Sequence, residues 1–69
     1  MDFPPYNTNP ETLGTWTIKQ LVAAYHHYHA IVKNTNDALS MDAYMSMRDD
    51  MWYELQFRGH DESILEKTE

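Results

Sequence analysis

Between Thr17 and Val32 the apolar residues recur with the period of an α-helix. After Thr17 the apolar residues return every three or four positions, which is the spacing of one helix face and not of a strand. These residues are Ile18, Leu21, Val22, Tyr25, Tyr28 and Val32. Thr17 followed by Gln20 fits a capping box, with Thr15 as a competing cap. The pattern predicts a first helix over residues 17–33.

A second period of the same kind follows the stretch Asn34–Asp37, which contains four poor helix formers. Its apolar stripe consists of Met41, Tyr44, Met45, Met51, Trp52 and Leu55. Asp37 or Ser40 can cap this helix, and Gly59 is suited to end it. The pattern predicts a second helix over residues 38–58. A short third helix, capped by Asp61, is predicted over residues 61–68.

The first 16 residues read as an arm that precedes the helices. The arm holds all three prolines of the chain, and Asn9 before Pro10 can cap one short helical turn that ends at Gly14. Phe3, Tyr6 and Leu13 give the arm apolar side chains to bury. We therefore expect it to pack against the helices, and the alternative is an arm that orders only on a partner.

Together these elements predict one small all-α domain. Its centre is an antiparallel two-helix hairpin, with an extended N-terminal arm and a short C-terminal third helix. A lone hairpin leaves one side of its apolar face in water. Either the arm and the tail cover that side, or two copies pair as a homodimer in a four-helix bundle.

Composition and charge favour certain cellular locations and classes of partner for this protein. The chain has 69 residues and no cysteine, which favours a reducing compartment and a cytoplasmic location. No apolar run is long enough to span a membrane, and we expect neither a signal peptide nor membrane binding. The net charge is −6, and residues 37–69 hold the excess acids. Five scattered Lys and Arg residues disfavour direct nucleic-acid binding, whereas an acidic face suits a protein partner with a basic surface.

Three histidines in four positions raise the question of a metal site. Their helical phases differ: His27 points to solvent, His26 borders the apolar face, and only His29 turns inward. His26 and His29 could share one metal ion, but zinc would need further ligands. We therefore predict no metal and no cofactor. A buried, neutral His29 would resist protonation, which makes it a candidate pH-sensitive residue.

Polar and aromatic residues on the second helix supply the candidate contact residues. Arg48 falls within the apolar stripe, so its guanidinium must reach water, stack on aromatic neighbours or meet an acid. Tyr53 and Phe57 lie on the polar side among acids, although the third helix could cover them. The predicted partner-binding residues are Asp42, Arg48, Asp49, Asp50, Trp52, Tyr53 and Phe57.

The function classes follow from these features. The chain lacks a cysteine nucleophile and a phosphate-cradling glycine loop, so we do not expect an enzyme. The favoured hypothesis is a small acidic interaction protein that binds and modulates or inhibits a larger macromolecule. By analogy of size and charge, one subclass is a phage-type inhibitor of a nucleic-acid-handling host or defence enzyme, acting in the host cytoplasm. The alternative is a structural or assembly subunit whose helices serve homo-oligomerisation.

Overall fold

The structure, a computed structural model, describes residues 3–67. Within this range the chain is all-α and has no strand. In chain order it forms a 3-10 helix (Pro10–Thr15) and the α-helices α1 (Ile18–Asn34), α2 (Ala38–Phe57) and α3 (Ile64–Lys67). The two long helices pack against each other as a helical hairpin. No helix among these residues has the length and apolar character needed to cross a membrane.

The cap of α1 agrees with the sequence pattern. The Thr17 hydroxyl accepts a hydrogen bond from the Gln20 N–H at 3.1 Å, and the Gln20 side-chain oxygen accepts from the Thr17 N–H at 2.8 Å. This reciprocal pair is the predicted capping box, so Thr17 and not Thr15 caps the helix. The helix continues to Asn34, one residue beyond the predicted end.

Three residues, 35–37, connect α1 to α2. The Asp37 carboxylate accepts hydrogen bonds from the Leu39 N–H at 3.2 Å and from the Ser40 hydroxyl at 2.9 Å. Asp37 is therefore the cap, and Ser40 lies inside the first turn. At the other end Gly59 has a φ of 89°, a left-handed conformation that favours glycine and stops the helix as predicted.

The N-terminal arm is part of the hydrophobic core. Asn9 caps the 3-10 helix by accepting from the Glu11 N–H at 3.2 Å, as the sequence predicts. The arm then lies along the hairpin and buries its large side chains with those of α1 and α2. The core residues are Phe3, Tyr6, Leu13, Trp16, Leu21, Val22, Ala24, Tyr28, Met51 and Leu55. The prediction that the arm packs is confirmed.

Two expectations need correction. The third helix begins at Ile64, because the Asp61 carboxylate accepts from both the backbone and the hydroxyl of Ser63 and holds residues 61–63 as a turn. Asp61 therefore lies before the helix, and residue 68 is outside the described residues. The methionine-rich stripe of α2 is also less buried than expected. Met51 is fully buried, whereas Met41 and Met45 are only half-buried.

Candidate interaction surface on the second helix

One side of α2 faces away from α1 and carries exposed apolar residues. We call it the outward face; it consists of Leu39, Asp42, Ala43, Ser46, Asp49, Asp50, Tyr53 and Phe57. These residues fall on one side because about 3.6 residues make one helical turn. Leu39, Tyr53 and Phe57 are 82%, 62% and 87% exposed. They are the most exposed large apolar side chains among residues 3–67, and all three lie on this helix face.

The aromatic end of the outward face borders a shallow cleft. The cleft has a volume of about 280 Å³ and lies between the 3-10 helix and α2. Its lining residues are Pro10, Leu13, Asp50, Tyr53, Glu54 and Phe57. The third helix could have covered the two aromatic rings, but it packs elsewhere and leaves them in solvent. The cleft and the two rings together form an apolar surface beside carboxylates, which a side chain of a partner could contact.

The three aspartates predicted to bind a partner have different surroundings. Asp42 is exposed and has no hydrogen-bond or ion-pair partner within the described part of the chain. The Asp49 side chain is 43% exposed and pairs with Arg48 at 3.2 Å. Asp50 is half-buried and accepts a hydrogen bond from the Tyr6 hydroxyl. Asp42 thus remains available to a partner, whereas Asp49 is already paired with Arg48 and Asp50 fastens the arm.

Arg48 makes contacts inside the chain. One guanidinium nitrogen lies 3.1 Å from His29 Nδ1, and two others donate to the Asp49 carboxylate at 3.3 and 3.2 Å. Its side chain is 18% exposed. Of the outcomes considered for this charge, the observed one is pairing with an acid, and the acid is the neighbouring residue.

His29 is half-buried between Arg48 and Tyr25. Because a guanidinium can only donate hydrogen bonds, His29 Nδ1 has to accept, and the ring hydrogen belongs on Nε2. Tyr25 stacks on the imidazole with 6.0 Å between ring centroids and 8° between planes. A doubly protonated imidazole would lose the contact with Arg48. The pH-sensitive role of His29 stays a prediction.

The other two histidines have surroundings close to those expected from helical phase. His26 Nε2 lies 2.7 Å from the Leu65 carbonyl oxygen, so this histidine holds the third helix. His27 is exposed, although its ring lies 5.4 Å from that of Phe3. Within residues 3–67 no three His, Asp or Glu side chains form a group that could hold a metal ion.

Trp52 is separated from Tyr53 and Phe57. It is half-buried and lines a second cleft, with Tyr25 and His26 on one side and the C-terminal segment on the other. The predicted partner-binding residues therefore do not form one patch. The residues that share the outward face are Asp42, Asp49, Asp50, Tyr53 and Phe57. The Arg48 guanidinium is turned toward His29 on α1, and Trp52 lies between α2 and α3.

Two tyrosines near the core have altered acidity. Burial raises the pKa of the Tyr6 hydroxyl, and its hydrogen bond to the nearby Asp50 carboxylate raises it further. Burial also raises the pKa of Tyr28, with a smaller effect from Tyr44. A tyrosine is already neutral at physiological pH, and the raised pKa of each hydroxyl extends its neutral range to more alkaline pH, where Tyr6 continues to donate to Asp50.

Three residues of the outward face, Leu39, Ala43 and Ser46, are absent from the predicted set, and Leu39 is the large apolar one among them. Leu39 lies fourteen positions before Tyr53, and the midpoint between them is Ser46, so the three residues repeat every seven positions on one side of the helix. That spacing was a readable signal. Leu39 lies outside the apolar stripe predicted for this helix, and so it was assigned neither to the core nor to the contact residues.

Comparisons with known proteins found no match to this chain. No protein-family model, no curated protein and no solved structure matches this chain. The function is therefore argued from the geometry described above.

Proposed function

We propose that the protein is a non-enzymatic interaction module that binds a basic surface of a larger protein through the outward face of α2. The observation that carries this proposal is the exposure of Leu39, Tyr53 and Phe57 on one helix face. Exposed apolar side chains that cluster within a polar rim are typical of binding sites. Aromatic residues are also enriched at the energetic centres of interfaces.

The charge of the outward face selects the kind of partner. Asp42 and Asp49 lie between Leu39 at one end and the aromatic rings at the other. Arg48 already pairs with Asp49 at 3.2 Å, so Asp42 is the carboxylate of these two that has no cation beside it in the described residues. A partner with Lys or Arg around an apolar centre would complement this arrangement.

The same charges disfavour a homodimer through this face. Two copies related by a twofold axis would bring Asp42 and Asp49 toward the equivalent acids of the second copy, and like charges repel. The arm also occupies the side of the hairpin that a four-helix bundle would use. The assembly-subunit alternative therefore has less support than binding to a different protein.

The narrower hypothesis concerns the identity of the basic surface. If that surface normally binds nucleic acid, carboxylates of the outward face would compete with phosphates for the same Lys and Arg residues. Binding would then weaken steeply as salt is raised and would displace the nucleic acid. This behaviour would support an inhibitor of a nucleic-acid-handling enzyme.

The proposal is tested by quantitative affinity capture from the source organism, followed by a direct binding measurement on each captured protein. Three proteins are compared: the wild type, Asp42→Lys and Phe57→Ala. Both substitutions are at exposed positions, so each should change stability by less than about 0.5 kcal/mol. We expect each to weaken a genuine partner at least tenfold.

Glu11→Lys is the matched control. Glu11 is an exposed carboxylate on the 3-10 helix, outside the outward face, so its reversal makes the same change in net charge. We expect it to weaken binding less than threefold. Equal losses of affinity in Glu11→Lys and Asp42→Lys would show that only the net charge of the protein matters. Unchanged affinity in Phe57→Ala would exclude the outward face as the binding site.

A further inference from the structure

A second cleft lies away from the outward face, between the helical hairpin and the C-terminal segment. It has a volume of about 430 Å³, within the range of small-molecule sites. Its walls come from three parts of the fold. The lining residues are Tyr25, His26, Trp52, Glu62, Leu65 and Glu66.

The walls combine aromatic rings with negative charge. Tyr25 and Trp52 belong to the residue types whose ring faces attract cations, with tryptophan the strongest. Glu62 and Glu66 are exposed carboxylates on the opposite wall, and among the side chains that the structure describes, residues 3–66, no Lys or Arg lines the cleft. An anion would be repelled here, whereas a positive group would meet aromatic and carboxylate partners together.

The aromatic wall is held in place by neighbouring contacts. Tyr25 is stacked on His29, which in turn contacts Arg48, so its ring is fixed against α1. The His26 Nε2–H donates to the Leu65 carbonyl and ties the opposite wall to α1. Because these contacts exist before any ligand binds, little ordering would be needed on binding.

We propose that this cleft binds an organic cation of the alkylated ammonium class. Small inorganic cations are strongly hydrated and gain little from aromatic faces. A quaternary or methylated ammonium group is weakly hydrated, and its methyl groups can contact Tyr25, Trp52 and Leu65 while its charge faces Glu62 and Glu66. The net charge of −6 further raises the local concentration of cations.

The cation can come from two sources that share this chemistry. It is either a free molecule that carries a quaternary ammonium group or a methylated lysine side chain of another protein. This site and the outward face use different residues, so the failure of either proposal leaves the other standing.

The test uses choline chloride as the probe and 3,3-dimethylbutan-1-ol as its neutral isostere. Each is titrated into the full-length protein at constant ionic strength while the indole N–H resonances are followed by NMR. Trp52 reports on the cleft, and Trp16, 5% exposed in the core, is the internal control. We expect a saturable shift of Trp52 alone, with choline binding at least fivefold more tightly than the isostere.

A ratio below fivefold would mean that the cleft selects only for shape and would overturn the proposal. The absence of a saturable shift of Trp52, or equal shifts of Trp52 and Trp16, would overturn it as well.

Substitutions in the cleft test whether its carboxylates and its aromatic wall contribute to choline affinity. Glu62→Gln combined with Glu66→Gln changes exposed side chains and should lower choline affinity at least threefold. The control Glu11→Gln removes a carboxylate elsewhere and should leave the affinity within a factor of 1.5. Trp52→Leu should abolish binding and Trp52→Phe should restore part of it; because both lack the reporting indole, their binding is followed through the backbone amide resonances of Leu65 and Glu66. Equal affinities for the double variant and the control would contradict the proposed role of the carboxylates.

A final arm distinguishes the two sources. A glycine-flanked peptide with one trimethyllysine is compared with the same peptide carrying unmodified lysine and with choline. Tighter binding of the trimethyllysine peptide than of choline assigns the site to a modified protein. Weaker binding of that peptide than of choline assigns it to a free molecule, and either result upholds the shared chemistry.

Discussion

The two ends of the chain contact the same helical hairpin in different ways. The N-terminal arm, residues 3–16, buries four large side chains to 9% exposure or less: Phe3, Tyr6, Leu13 and Trp16. The C-terminal tail, residues 59–67, contributes Ile64 and Leu65, which are only partly buried. The arm thus completes the core, whereas the tail forms one wall of a cleft.

Polar contacts reinforce the difference. The arm is fastened by the Tyr6 hydrogen bond to Asp50 and by Arg58, which donates to the Leu13 carbonyl at 2.9 Å. Both contacts are partly buried, where hydrogen bonds to charged groups are strengthened. The tail is fastened by His26 at an exposed position, where water competes for the same groups. An arm without regular α-helix is thus more integral to this fold than the terminal helix.

The largest expected effect comes from the same leucine truncation made in the arm and in the tail. Leu13 is 1% exposed, so Leu13→Ala should lower the free energy of unfolding by about 2–5 kcal/mol through lost burial and a cavity. Leu65→Ala should cost about 1 kcal/mol, because Leu65 is partly in water already. Urea denaturation followed by circular dichroism measures both. Equal losses would abolish the distinction between arm and tail.

A smaller effect is expected from the tyrosine that ties the arm to α2. Tyr6→Phe removes the hydrogen bond to Asp50 and should cost about 1–2 kcal/mol. Tyr53→Phe is the matched control, because its exposed hydroxyl can bond to water and its loss should cost less than about 0.5 kcal/mol. Should Tyr6→Phe prove as harmless as the control, the arm would be held by apolar contacts alone.

At pH 10.5 the free energy of unfolding should be lower by about 1 kcal/mol, because the contact of Tyr6 in the arm is weakened. The pKa of Tyr6 is raised by burial and by Asp50, while an unfolded tyrosine titrates near pH 10. The stabilisation is therefore complete below about pH 10 and is lost as the pH rises above it. Denaturation midpoints at pH 8, 9.5 and 10.5 test this. Tyr6→Phe should lose less stability than the wild type over this range, and identical slopes would refute the assignment.

The smallest effect is expected from His26→Ala in the wall of the second cleft. Its contact with the Leu65 carbonyl is exposed, so the global free energy of unfolding should change by less than about 0.5 kcal/mol. Hydrogen exchange of the Leu65 and Glu66 amides should nevertheless accelerate, since the tail would open locally. A global loss comparable with that of Leu13→Ala would show that the tail belongs to the core.

Local contacts explain how much of the fold could be predicted from the sequence. The Thr17–Gln20 capping box, the Asp37 cap and the left-handed Gly59 each involve residues within a few positions of one another. The bounds of the two long helices are accordingly within one residue of the predicted ones. The phases of His26, His27 and His29 also follow from helical geometry. The placement of Tyr53 and Phe57 on the polar side of α2 follows for the same reason, although their exposure depends on where the third helix packs.

Contacts between distant residues were decided only by the tertiary structure. The apolar pattern showed that the arm and the tail could each cover the hairpin, but it did not reveal which surface each would take. The arm filled the open side because it carries larger apolar side chains. The tail packs beside Trp52 and forms the second cleft there. Tyr53 and Phe57 are therefore not covered by the tail and remain exposed to water. The partners of Arg48 and Asp50 likewise depend on which side chains meet after packing, since hydrophobic burial is non-directional and shape selects among the alternatives.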